Sequence, residues 1–139
     1  MKKLLLIAAV TVAVCSFSCK KAIQAKEEDL IVQAMTDGRW YVQLYQDTTT
    51  DVTAEFAGYQ FQFYKDNTVD AIMGTTTRSK GTWNGNISNY TITANFPAAA
   101  GDTLRRLNYV WTLTDSYTNY VEAKTANGSG TNYLHLQKL

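Results

Sequence analysis

The sequence predicts an all-β fold: an eight-stranded up-and-down antiparallel barrel behind a short N-terminal helix. Three observations carry this reading. Apolar and polar residues alternate at period two in run after run beyond residue 37. Turn-forming groups such as Asp66-Asn67 and Asn84-Gly85-Asn86 separate the runs at the even spacing of sandwiches and barrels. Nine Tyr, five Phe and three Trp, with abundant Thr, supply the bulky residues that strands favour. Nothing between the runs leaves room for a crossover helix, so sequential strands pair antiparallel, and closing the ring removes exposed edges.

The chain divides into residues 1–18, 19–26 and 27–139. Lys2-Lys3 forms a short basic start, and Leu4 to Val14 is an apolar run broken only by Thr11. That run falls short of the roughly 20 apolar residues a membrane span needs. It ends at Cys15-Ser16-Phe17-Ser18-Cys19-Lys20-Lys21. The arrangement resembles a bacterial lipoprotein signal, with small residues Ser16 and Ser18 before the cysteine. Ser16 stands where the common pattern has Leu. By that resemblance, cleavage before Cys19 leaves it as the lipidated N-terminus, and residues 19–26 become a polar tether. Several acyl chains hold a protein stably at a membrane, at about 0.8 kcal/mol per buried CH₂. Cys15 departs with the leader, so residues 19–139 hold one thiol and no disulfide framework.

In the 27–139 unit, Glu27-Glu28-Asp29 sets acidic residues at the favourable end of a helix whose stripe is Leu30, Ile31, Ala34 and Met35. Gly38 ends it and admits the first strand, where Trp40, Val42 and Leu44 share the inner face and Tyr41, Gln43 and Tyr45 the outer. A polar loop follows at Asp47–Asp51. Tyr59, Phe61 and Phe63 alternate with Gln60 and Gln62 as the second strand, and Val69, Ala71 and Met73 return as the third. Ser79 to Trp83 forms the fourth, and Tyr90, Ile92, Ala94 and Phe96 mark the fifth. After a break at Pro97–Gly101 and one helical turn at Asp102–Leu107, the sixth strand carries Leu107, Tyr109, Trp111 and Leu113. Tyr117 to Thr125 is the seventh and Tyr133 to Lys138 the eighth. The expected interior rings are Trp40, Tyr59, Phe61, Phe63, Trp83, Tyr90, Phe96, Tyr109 and Trp111.

Charge and motif content argue against several function classes. Thirteen basic residues face twelve acidic ones; with Lys2 and Lys3 in the leader, eleven remain against twelve, a net of −1. So balanced a domain has no field for nucleic acid. His135 is the only histidine, set on the outer face opposite Leu134 and Leu136, with no second imidazole or thiolate beside it to make a metal site. A Ser-His-Asp triad would need His135, and no Gly-x-Ser-x-Gly elbow exposes a nucleophile. Asp47 with Asp51, and Asp66 with Asp70, occupy turn and strand-edge positions that suit capping rather than glycoside hydrolysis. Gly128-x-Gly130 lacks the helix and Lys of a phosphate loop. Arg105-Arg106 reads as a solvated turn. The expectation is a non-enzyme with no cofactor, no metal and no nucleic-acid partner.

Gly38-x-Trp40, Tyr59-x-Phe61-x-Phe63, Gly81-Thr82-Trp83 and Leu104-x-x-Leu107-x-x-x-Trp111 resemble the lipocalin-like domain of small Gram-negative lipoproteins, over roughly residues 30–139. The resemblance implies that Trp40 packs across the closed end of the barrel. It also implies an Arg from near the last strand over that ring. No Arg follows Arg106, so either Lys138 takes that place or nothing does. The Thr-Asp-Tyr motif of true lipocalins is missing.

An eight-stranded barrel is just wide enough to fill with side chains or to hold one small ligand. The first functional expectation is a monomeric lipoprotein of the cell envelope, anchored in the outer membrane through Cys19, whose barrel binds a small apolar or amphipathic molecule. Tyr59, Phe61, Tyr109 and Trp111 are its candidate ligand-binding residues, the tyrosines because a buried hydroxyl wants a partner. The alternative is an interaction protein with a side-chain-filled barrel that meets protein or glycan through its outer face, on aromatic ground such as Tyr41, Tyr45, Tyr64 and Tyr120. Intact-mass analysis of membrane-extracted protein should find the chain starting at an acylated Cys19; an unmodified Cys19 contradicts the anchor.

Overall fold

Residue 26 and residues 29–139 are described by the computed structural model. The leader, Cys19 and the rest of the 19–26 tether lie outside the described residues. Helix α1 covers 29–36. The strands are β1 (Trp40–Asp47), β2 (Thr50–Asp51), β3 (Tyr59–Phe63), β4 (Thr68–Met73), β5 (Thr76–Asn86), β6 (Thr91–Asn95), β7 (Val110–Ser116), β8 (Tyr120–Asn127) and β9 (Gly130–Lys138), with a single turn of helix α2 at Asp102–Arg105. Eight of these strands pair antiparallel around a ring, and β9 returns to β1. The two-residue β2 is a spur on the end of β1. The predicted eight-stranded closed barrel is therefore the observed one.

The ring is tight at one seam and loose at the next. β1 and β9 pair from Trp40↔Lys138 to Gln46↔Tyr133, whereas β1 meets β3 only at Trp40↔Phe61. Where β3 splays away, the chain after β2 takes its place. Tyr45 N–H donates to Thr53 Oγ1 at 2.9 Å and Val52 N–H to Tyr45 O at 3.0 Å. The Tyr45 backbone groups are satisfied there by Val52 and by Thr53, the N-cap and first residue of a 3-10 turn, Thr53–Phe56.

The interior is the core. Trp40, Phe61, Phe63, Trp83, Phe96 and Trp111 are all buried, as the alternation predicts. Their rings form edge contacts, with centroids 5.3 Å apart for Phe63 and Trp83 and 6.2 Å for Phe61 and Phe96. Gly81 is required by closeness: a Cβ there would stand 2.7 Å from the Asn95 carbonyl oxygen across the β5–β6 pair.

Four sequence expectations are corrected. A β-bulge between Val42 and Leu44 inverts the alternation of β1, so Leu44 faces out and Tyr45 is 1% exposed. Tyr90 is 60% exposed, because it ends the β5–β6 turn with φ +51° before β6 begins. Leu30 is exposed, because α1 is rotated to turn Ile31, Val32 and Met35 onto the barrel. The Asp47–Asp51 loop is a tight reversal with Thr48 at φ +57° that adds β2.

Helix α1 seals the end of the barrel where β1 begins. Trp40 is fully buried, and its indole N–H donates to the Met35 carbonyl at the C-terminal end of the helix, 2.9 Å away. Lys138 Nζ lies 5.2 Å from the Trp40 ring centroid and 3.6 Å from Asp37. Lys138 thus stands where the resemblance puts an Arg. Trp40→Ala should cost about 3–5 kcal/mol of stability in urea unfolding, and Lys138→Gln about 1 kcal/mol or less. A Trp40→Ala loss below that of Lys138→Gln would contradict this packing.

Candidate functional site

The four candidate pocket residues separate into two pairs. Phe61 and Trp111 are buried and line an interior cavity of about 30 Å³, closed in by apolar side chains including Ile92, Leu107, Val121 and Leu134. Tyr59 and Tyr109 are only half-buried and flank that core without lining the cavity. Each tyrosine lies against its aromatic neighbour two residues on, at 6.3 Å for Tyr59 and Phe61 and 5.8 Å for Tyr109 and Trp111. The cavity wall carries no polar group, so its lining offers no hydrogen bond to a guest.

The end of the barrel opposite α1 is plugged by the 3-10 turn Thr53–Phe56 and the segment around α2. Phe56 and Leu104 are buried there, and Tyr45 stacks on Phe56 at 5.3 Å and meets the edge of Trp111 at 5.7 Å. The Trp111 indole donates to the Leu107 carbonyl at 3.0 Å, which fastens the plug to β7.

A polar network lies over this plug. Arg106 donates to Asp47 Oδ2 at 2.7 Å and to Glu55 Oε2 at 2.9 Å. Tyr45 Oη donates to the Arg106 carbonyl at 2.7 Å and accepts from Asn132 Nδ2 at 3.3 Å. Asn132, buried itself, accepts from Asn127 Nδ2 at 2.7 Å and from Thr48 N–H at 3.0 Å. Arg106 is thus no solvated turn: it ties β1, the 3-10 turn and α2 together. Burial lowers its pKa, but Glu55 and Asp47 more than offset that and hold it above its ordinary value. Sequence reasoning missed this network because its members are scattered over residues 45–132 and only the β1 bulge turns Tyr45 inward to meet them.

Four of the other titratable groups have structural partners. Asp66 accepts from Thr68 Oγ1 at 2.6 Å and Thr68 N–H at 3.0 Å, and these bonds lower its pKa. Asp51 accepts from Thr53 N–H at 2.8 Å. Asp70 is buried 3.5 Å from Lys80 Nζ. His135 stands on the outer face of β9, with Nδ1 3.7 Å from Glu122 Oε1. Among the described residues no group of three His, Cys, Asp or Glu side chains could hold a metal ion.

The outer tyrosines do not make one patch. Tyr45 is inside, Tyr41 is half-buried, and Tyr120 donates to Asp115 Oδ2 at 2.8 Å. Tyr64 is 39% exposed, beside the β3–β4 turn.

No protein-family profile matches the sequence, and no curated protein matches it. Among solved structures the chain is similar to a DUF4847 family protein from Bacteroides vulgatus ATCC 8482. The TM-score is 0.53 and the identity 14%, over 77% of this chain and 96% of that one. At that identity the likeness is one of fold: both chains share a barrel architecture.

Burial raises the Tyr45 pKa to about 12, and Asn132 offsets part of that rise. The unfolded phenol ionises near 10, so the unfolded state releases this proton first as pH rises. Tyr45 therefore contributes stability below pH 10 that is lost as pH climbs toward 12. Urea midpoints should fall more steeply over that range for the native chain than for Tyr45→Phe; parallel slopes would contradict the buried phenol.

Proposed function

We propose that this chain is a non-enzymatic cell-envelope lipoprotein, held at the membrane through Cys19, whose lipocalin-like barrel is a filled scaffold that recognises its partner on the outer wall. The observation that carries this reading is the size of the interior. A cavity of about 30 Å³ holds a water-sized guest, whereas an apolar cavity that admits benzene is about 150 Å³. Both ends are occupied, by Trp40 under α1 and by Phe56 and Leu104 under the Arg106 network. A guest of fatty-acid size would have to displace side chains that already make their contacts. The leader sequence and the polar 19–26 stretch support the tether, and the near-neutral charge supports a partner other than nucleic acid. The fold likeness to the DUF4847 protein supports the lipocalin-like barrel and says nothing of a partner.

A second reading rests on the lining of the cavity. Its wall is wholly apolar and includes Phe61 and Trp111, so a small apolar ligand that pushes the rings apart would meet a favourable surface. A panel of fluorescent fatty-acid and sterol probes separates the two. The filled scaffold predicts no saturable binding and no change in tryptophan emission. Saturable binding that Ala94→Leu removes, by filling the cavity from its wall, would overturn the scaffold in favour of the ligand.

A further inference from the structure

The outer wall of β7, β8 and β9 carries a built depression. Register sets Thr112 against Lys124 and Lys124 against Tyr133, one cross-strand row over three strands. The next row sets Ala126 against Thr131, with Val110 two residues before Thr112 on the same face of β7. Val110 is 57% exposed and Tyr133 45%, while Trp111, Thr125 and Asn132, which alternate with the groove residues, are buried. The small Ala126 stands between larger neighbours, and a groove of about 390 Å³ opens over these residues. Lys124 lies on its floor row, exposed, and makes no ion pair among the described residues. The nearest carboxylate along its own strand face, Glu122, is directed toward His135 at 3.7 Å.

We propose that this groove binds a saccharide bearing a carboxylate, such as a uronate oligosaccharide. The inference rests on the outer-wall reading and names its ligand class. Tyr133 offers a ring face for the apolar side of a sugar. Thr112 and Thr131 offer hydroxyls that both donate and accept, and Lys124 offers an ammonium without an ion-pair partner among the described residues for the carboxylate. Size decides between sugar and protein. Three strands and two rows span roughly 10 Å by 7 Å, far below the ~800 Å² per partner of a stable protein interface. The groove's volume falls within the range of roughly 300–1,000 Å³ usual for small-molecule sites.

The full-length chain in detergent should be titrated with trigalacturonate, and with maltotriose as the neutral counterpart, by amide NMR. Trigalacturonate should shift Lys124, Ala126, Thr131 and Tyr133. Lys124→Glu should weaken binding roughly tenfold or more, and Ala126→Trp, which fills the groove from outside the core, should abolish it. Both variants should keep the native melting temperature. If neither variant folds, Lys124→Gln and Tyr133→Ala carry the same test. Absence of any shift with trigalacturonate overturns the assignment, as does equal binding of maltotriose that Lys124→Glu leaves unchanged. Capture of a protein partner lost in Ala126→Trp, without a saccharide response, also overturns it. Silence of both the saccharides and the lipid probes removes this groove assignment alone, whereas interior lipid binding removes the outer-wall reading beneath it.

Discussion

Closing eight strands into a ring leaves two open ends, and each must be sealed by chain that has no strand partner of its own. In this protein three indole N–H groups do much of that work. Trp40 donates to Met35 at the end of α1, Trp83 to the Tyr64 carbonyl in the β3–β4 turn, and Trp111 to Leu107 after α2, all at 2.9–3.0 Å. Each ring is buried in the barrel while its polar edge reaches a carbonyl of a segment outside the strands. One residue type thus couples apolar burial to the satisfaction of backbone groups that would otherwise be stranded.

The second constraint is the bulge in β1. One extra residue between Val42 and Leu44 turns Tyr45 from the outer face to the inner. Tyr45 then stacks on Phe56, touches Trp111 and reaches both Arg106 and Asn132. The plug at that end is assembled on this side chain, and the carboxylates of Asp47 and Glu55 hold Arg106 over it. With both ends closed in this way, little interior space is left, and the surface where strands can present side chains freely is the outer wall.

Most of the fold was legible in the sequence, because period-two alternation and turn residues act locally. Phe61 and Phe63, Val121 and Ala123, and Leu134 and Leu136 all fall on the inner face as their spacing demands. The misplacements of Leu44, Tyr45 and Tyr90 share a cause: a bulge or a left-handed turn residue shifts the phase, and neither leaves a signature in hydropathy. The resemblance left open whether Lys138 or nothing replaces the missing Arg over Trp40, because sequence alone does not show the reach of a side chain; the structure puts Lys138 there. The Arg106 network was not legible, since a polar cluster built from five separate stretches has no sequence period. The groove on β7, β8 and β9 was hidden for a related reason. It depends on cross-strand register, which puts Ala126 beside Thr131 and Lys124 beside Tyr133.

The central claim is that the barrel holds its own side chains and no guest. Native mass spectrometry of protein extracted from its own membrane tests this most directly. A filled barrel should show the mass of the chain and its covalent modifications alone. A stoichiometric small-molecule adduct that leaves only on unfolding would contradict it.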